Sequence, residues 1–138
     1  DHFKAFNDRF GHVAGDDCLR RIASTLATFA ARHEGFAARY GGEEFCVVMV
    51  GIALSQALQR IEALLSEFRL MLVKDGDMSL SQLSFSAGLV SCHAGASFDL
   101  DGAFRLADAA LYEAKQTGRA RVVAARGGAQ RALEADPI

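Results

Sequence analysis

The chain has 138 residues, 51% hydrophobic and 23% charged, values that fit one soluble globular domain and exclude a disordered chain. Fifteen Lys and Arg against seventeen Asp and Glu leave a net charge of −2, which excludes the basic field of a general nucleic-acid coat. No apolar run nears the roughly 18 residues of a membrane span, residues 1–4 do not resemble a signal peptide, and thirteen glycines against one proline exclude collagen-like and proline-rich structure.

Residues 1–8 read as a helix-like segment with no strand ahead of it. A sheet of the kind that follows is normally fed by a strand there, so the chain is expected to be a piece of a longer polypeptide. From Gly15 a helix follows, with Leu19, Ile22, Ala23, Leu26, Phe29 and Ala30 on a buried face at i, i+3, i+4, i+7 spacing. Asp16 and Asp17 fall in its expected first turn, where carboxylates complement the helix dipole, and Gly35 is the expected stop. Residues 36–40 and 45–50 are β-like runs around a Gly-Gly pair, which predicts a hairpin. The second run is apolar without alternation, as expected of a central strand covered on both faces.

The next helix carries Leu54, Ala57, Leu58, Ile61, Leu65, Phe68 and Leu72 on one face, and Lys74-Asp75-Gly76-Asp77 is a polar break. Residues 83–90 read as a third strand. A last helix over 101–117 turns Ala103, Ala107, Ala110, Leu111 and Ala114 inward, with Gly118 as its stop, and 122–125 form a closing strand. The order α-α-β-β-α-β-α-β predicts an α/β fold, an α+β sandwich with a central, mainly antiparallel sheet and covering helices. One domain over 1–126, lacking its first strand, is expected, with 127–138 as a frayed tail.

Cys18, Cys46 and Cys92 are an odd number with no Cys-x-x-Cys, the usage of reduced thiols in a cytoplasmic protein, and His33 and His93 lack metal-ligand spacing. The chemistry concentrates at Gly41-Gly42-Glu43-Glu44-Phe45. Glycines allow the positive φ of a tight turn, and glutamates on a tip can simply be solvated. Two carboxylates behind two residues without side chains also suit a nucleotide site. Phosphate and ribose can approach the backbone, and a carboxylate can hold Mg²⁺ or Mn²⁺.

At this point the sequence resembles the GGDEF family of diguanylate cyclases. The likeness rests on five ordered blocks: Asp1-His2-Phe3-Lys4-Ala5-Phe6-Asn7-Asp8; Gly11-His12-x-x-Gly15-Asp16; Arg39-Tyr40-Gly41-Gly42-Glu43-Glu44-Phe45; Ser84-Phe85-Ser86-Ala87-Gly88; and Ala109-Ala110-Leu111-Tyr112-x-Ala114-Lys115-x-x-Gly118-Arg119. They cover about residues 1–123. The resemblance implies a palm-like nucleotidyl-cyclase fold that joins two GTP molecules into cyclic di-GMP across a transient head-to-tail homodimer. It implies Glu43 as metal ligand and Glu44 as second catalytic acid, acting as a base or an orienting group. Gly41 and Gly42 make room for the nucleotide, Asn7 and Asp16 bond the guanine edge, and Phe3 and Leu19 wall the pocket. Lys4, Lys115 and Arg119 clasp the β- and γ-phosphates. Lys115 and Arg119, four apart at a helix end, are expected to face one ligand. His12 is expected to be structural.

Two departures from the family pattern are visible. The first acid of the family's Asp-x-Asp would precede Asp1 by two positions. The family's inhibitory Arg-x-x-Asp stands here as Arg32-His33-Glu34-Gly35, so Arg32 is kept as a half-site and weakened product feedback is expected. The alternative to catalysis is a non-catalytic module that binds GTP or cyclic di-GMP as a receptor. The remaining partners implied are an N-terminal sensory domain, with no nucleic-acid polymer and no direct membrane contact. The implied location is the cytoplasm, with tethering through a fused domain allowed.

Overall fold

Helices and strands alternate in the computed structural model as α1 (Phe3–Phe10), α2 (His12–Ala31), β1 (Phe36–Gly41), β2 (Glu44–Val48), α3 (Leu54–Lys74), β3 (Ala87–Leu89), α4 (Leu100–Gln116) and β4 (Val122–Ala124). The predicted order is reproduced. The structure describes residues 1–74, 83–93 and 99–126, with side chains described outside 69–74, so Leu72, the break at 74–77 and the tail at 127–138 lie wholly or partly outside the described residues. The chain divides into two units: His2–Ile52 with Arg69–Leu83, and Asp1 with Ala53–Phe68 and Ser84–Ile138.

In the first unit, α1 buries Phe3 and Phe6 on one face, with their rings stacked at 6.2 Å. Gly11 alone separates α1 from α2, at φ 85°. The second helix therefore starts at His12, one turn earlier than its apolar repeat predicts, and Asp16 lies beyond the first turn rather than at the helix start. The reason is packing against α1: Gly15 is buried, and a Cβ there would collide with the Asn7 side chain and crowd Phe3. Cys18, Leu19, Phe29 and Ala30 complete the buried face. The helix ends at Ala31, before Gly35. Glu34 takes the left-handed position at φ 52°, and Gly35 is held where a Cβ would strike the Val48 carbonyl.

Strands β1 and β2 pair antiparallel with Phe36 opposite Val48, Ala37 opposite Val47, Ala38 opposite Cys46 and Arg39 opposite Phe45; the register then slips, and Gly41 pairs with Glu44. Gly41 and Glu44 thus belong to the strands, and the loop is Gly42-Glu43 rather than the Gly-Gly pair. The first central residue of a two-residue hairpin needs positive φ, and Gly42 supplies it at 54°. Among the described residues β2 is bonded to β1 alone and none of its residues is fully buried, in contrast to the expected doubly covered strand.

In the second unit, β3 and β4 are parallel, with Ala87, Gly88 and Leu89 opposite Val122, Val123 and Ala124. The crossover between them contains α4, as a parallel pair requires. Asp99 caps α4 by accepting the Gly102 N–H at 2.9 Å, and Asp101 complements the dipole. Ala110 and Ala114 are buried and Ala103, Ala107 and Leu111 half-buried, the predicted inward face. From α3, Ala57, Leu64, Leu65 and Phe68 are buried, and Phe68 meets Phe85 edge-on at 5.7 Å. The strand predicted over 83–90 shrinks to 87–89. Just before it, the Ser84 and Ser86 hydroxyls donate to the Asp1 carboxylate, and the Ser84 carbonyl accepts from the Asp1 nitrogen.

Candidate functional site

The hairpin and α2 enclose a cleft of about 320 Å³ within the first unit. Asp16, Leu19, Arg20 and Ala23 form the helical wall, and Ala37, Ala38, Arg39 and Phe45 the strand wall. Helical spacing explains one wall, since residues 16, 19, 20 and 23 lie on one face. Strand pairing explains much of the other, because Arg39 and Phe45 sit opposite each other and share a side of the hairpin. Leu19 is buried while Asp16 is exposed, so an apolar floor carries a carboxylate at its edge.

Arg39 Nε donates to the Gly42 carbonyl at 2.7 Å, tying this cleft residue to the acidic turn. Arg20 and Arg39 had no assigned role in the sequence reading. Two signals could have found them: Arg20 lies one helical turn after Asp16, and Arg39 lies across the hairpin from Phe45. Glu43 and Glu44 are adjacent and exposed at the tip. Their hard oxygens suit Mg²⁺, which usually takes one or two carboxylates and completes its shell with water and substrate phosphates. No group of three or more His, Cys, Asp or Glu among the described residues could hold an ion. The donor set fits a metal shared with a nucleotide rather than one caged by protein.

Asn7 lies in the α1–α2 contact. Its Oδ1 is buried without a hydrogen-bond partner and sits against Gly15, beside Phe3. A buried acceptor left unpaired costs about 1–3 kcal/mol, so its position asks for a functional account. Lys4 is exposed on α1, and Arg32 is exposed at the C-terminal cap of α2. His12 is exposed.

Lys115 and Arg119 belong to the second unit. Lys115 is half-buried in the last turn of α4. Arg119 is exposed and lies outside the helix, beyond Gly118 at φ 120°, with its own φ at 59°. The helical i, i+4 argument for this pair therefore does not apply; the turn, not the helix, sets where Arg119 stands. Burial pushes the Cys18 and Cys46 thiols up, which keeps them protonated at neutral pH and chemically quiet. Among the described residues no helix is long and apolar enough to cross a membrane.

The family described as "Diguanylate cyclase, GGDEF domain" matches residues 1–121. The chain is 39% identical over 125 residues to diguanylate cyclase VdcA of Vibrio cholerae, covering 89% of this chain and 36% of that protein. It is 36% identical over 138 residues to diguanylate cyclase A of Treponema denticola, covering 96% and 35%. The chain thus spans about a third of the length of these relatives. Among solved structures, the GGDEF domain of DgcB from Caulobacter crescentus in complex with c-di-GMP superposes with a TM-score of 0.79 at 36% identity, covering 92% of this chain and 74% of that one. The active GGEEF domain of a diguanylate cyclase from Vibrio cholerae gives 0.77 at 32%, covering 92% and 78%.

Proposed function

The chain belongs to the GGDEF family of diguanylate cyclases, and from that premise we propose that it condenses two GTP molecules into cyclic di-GMP with release of two pyrophosphates. What supports this reading is the hairpin. The strands that present Glu43 and Glu44 also put Arg39 and Phe45 into the cleft opposite Asp16 and Leu19. A nucleoside lodged there would have the acidic turn next to it.

Each 3′-hydroxyl attacks the α-phosphorus of the other GTP. A new P–O bond forms, the bond to pyrophosphate breaks, and the hydroxyl proton leaves. The reaction is in-line displacement, so positioning and charge neutralisation dominate. Asp16 accepts from the guanine N1–H and 2-amino group, and Asn7 meets the guanine edge with its amide. Adenine has no N1–H, so ATP would leave Asp16 unsatisfied and is discriminated against. Phe3 and Leu19 wall the base, and Gly41 and Gly42 let the nucleotide approach the backbone. Glu43 would hold a divalent metal, Mg²⁺ or Mn²⁺, which when bound supplies charge neutralisation at the phosphates. Glu44 orients or deprotonates the attacking hydroxyl. By their match to the family, Lys4, Lys115 and Arg119 take the β- and γ-phosphates. A second copy faces the first head to tail to supply the other GTP, with an N-terminal sensory domain bringing the copies together in the cytoplasm. Arg32 contributes a weak half-site for cyclic di-GMP.

The test is incubation of the full-length protein that carries this domain with GTP and Mg²⁺ over a range of protein concentrations. Cyclic di-GMP and pyrophosphate should appear with a rate that rises faster than linearly in protein. GTP binding without product at any concentration would overturn catalysis and leave a receptor.

A further inference from the structure

We infer that Asp1 is a positioning residue for the triphosphate, acting through the loop that carries Arg119. This rests on the reading of Arg119 as a phosphate ligand. Helix α4 ends in a Schellman-type turn, in which the Arg119 N–H returns to the Ala114 carbonyl at 3.0 Å across Gly118. The chain then stays left-handed through two residues that are not glycine, Arg119 at φ 59° and Ala120 at φ 49°. That conformation is disfavoured for residues with a Cβ and persists only where surrounding structure over-determines it.

The constraint comes from Asp1, 119 positions away in sequence. Its Oδ2 accepts the Ala120 N–H at 3.1 Å. Ser86 Oγ donates to both carboxylate oxygens, at 3.0 and 2.8 Å, and Ser84 Oγ donates to Oδ2 at 3.1 Å. The Ala120 N–H also reaches Ser86 Oγ at 3.2 Å, and the Asp1 backbone nitrogen donates to the Ser84 carbonyl at 2.7 Å. The carboxylate thus ties the loop to the segment leading into β3, and its charge strengthens each bond it accepts. The backbone from which the Arg119 side chain departs is held on its N-terminal side by α4, through its own N–H, and on its C-terminal side by this anchor at Ala120. Loss of the anchor should release Arg119 into many orientations and weaken its hold on phosphate, while leaving contacts to the base alone.

The test uses the full chain with two probes: 3′-deoxy-GTP, which cannot react, and guanosine, which has no phosphates. Asp1→Ala should weaken 3′-deoxy-GTP about tenfold and guanosine less than about twofold, the size expected from losing charge-assisted bonds. Arg119→Ala should show the same selectivity, and the double variant should be little worse than Arg119→Ala alone. Ala120→Gly, which accepts positive φ freely, should restore part of the Asp1→Ala loss. Wild-type 3′-deoxy-GTP affinity in Asp1→Ala, or losses that multiply in the double variant, would overturn the inference. If Asp1→Ala also loses guanosine, the milder Ser86→Ala decides, with a selective loss of about threefold expected and no loss overturning it. Hydrogen exchange at the Ala120 amide in nucleotide-free protein reads the anchor by itself: protection should fall in Asp1→Ala, with Ser86 Oγ still accepting, and wild-type protection overturns the inference. Exchange that responds to Asp1, combined with an Arg119→Ala variant of wild-type affinity, would instead count against the phosphate role of Arg119.

Discussion

The hairpin tip and the loop after α4 both turn the chain sharply, both use positive φ, and both present charged side chains beside glycine. They are held in opposite ways. At the tip, Gly42 takes the left-handed position and Arg39, three residues away, bonds its carbonyl. After α4, glycine covers only the first of three left-handed positions; the Arg119 N–H returns to α4, and Asp1, 119 positions away, holds the Ala120 N–H. A turn encoded by its own residues can be read from a short motif. A turn stabilised by a distant carboxylate cannot, although the side chain it carries can be matched by type.

The largest effect should come from the local turn's chemistry. Glu43→Ala should abolish cyclic di-GMP synthesis, a loss of at least about 10²-fold, with the melting temperature within about 2 °C of wild type because the side chain is exposed. A simultaneous large loss of stability would mean that the acid supports the fold rather than the reaction.

Gly35→Asp is expected to destabilise the chain by about 1–3 kcal/mol in denaturant titrations, since its Cβ would meet the Val48 carbonyl. It should therefore fail to rebuild a product site beside Arg32. Submicromolar cyclic di-GMP binding by this variant, measured by calorimetry, would refute that.

The comparison of turns is sharpest in a matched pair. Gly42→Ala should cost about 1–2 kcal/mol, because it puts a Cβ at positive φ. Ala120→Gly should be near neutral, within about 0.5 kcal/mol, because relief of the same strain offsets the extra freedom of glycine in the unfolded chain. Equal costs would show that the two turns are supported alike.

The smallest effect is the pH dependence from Cys18. Its thiol is raised above the ordinary 9.0 by burial, so near and above that value the unfolded chain loses its proton first and binds fewer protons than the native state. Stability from this group is full below pH about 9 and falls as pH rises through the native value. Cys18→Ala should flatten the alkaline slope of melting temperature against pH.

Side-chain periodicity, together with glycine and polar turn signals, was enough to place the elements in order, the inward faces of α2, α3 and α4, and the acidic hairpin. These features depend on residues a few positions apart, and their physics is local. The motif blocks carried the residue types of the candidate site for the same reason. What required the folded chain were the earlier start of α2, set by Gly15 against Asn7; the two-residue loop at Gly42-Glu43, set by the register slip after Arg39; and the cleft roles of Arg20 and Arg39. The left-handed run at Arg119 and Ala120 belongs with them, because its Ala120 N–H answers to a carboxylate 119 positions distant. Contacts between residues so far apart leave no periodic trace in a sequence. They exist only once folding has brought their hydrogen-bond donors and acceptors within reach of one another.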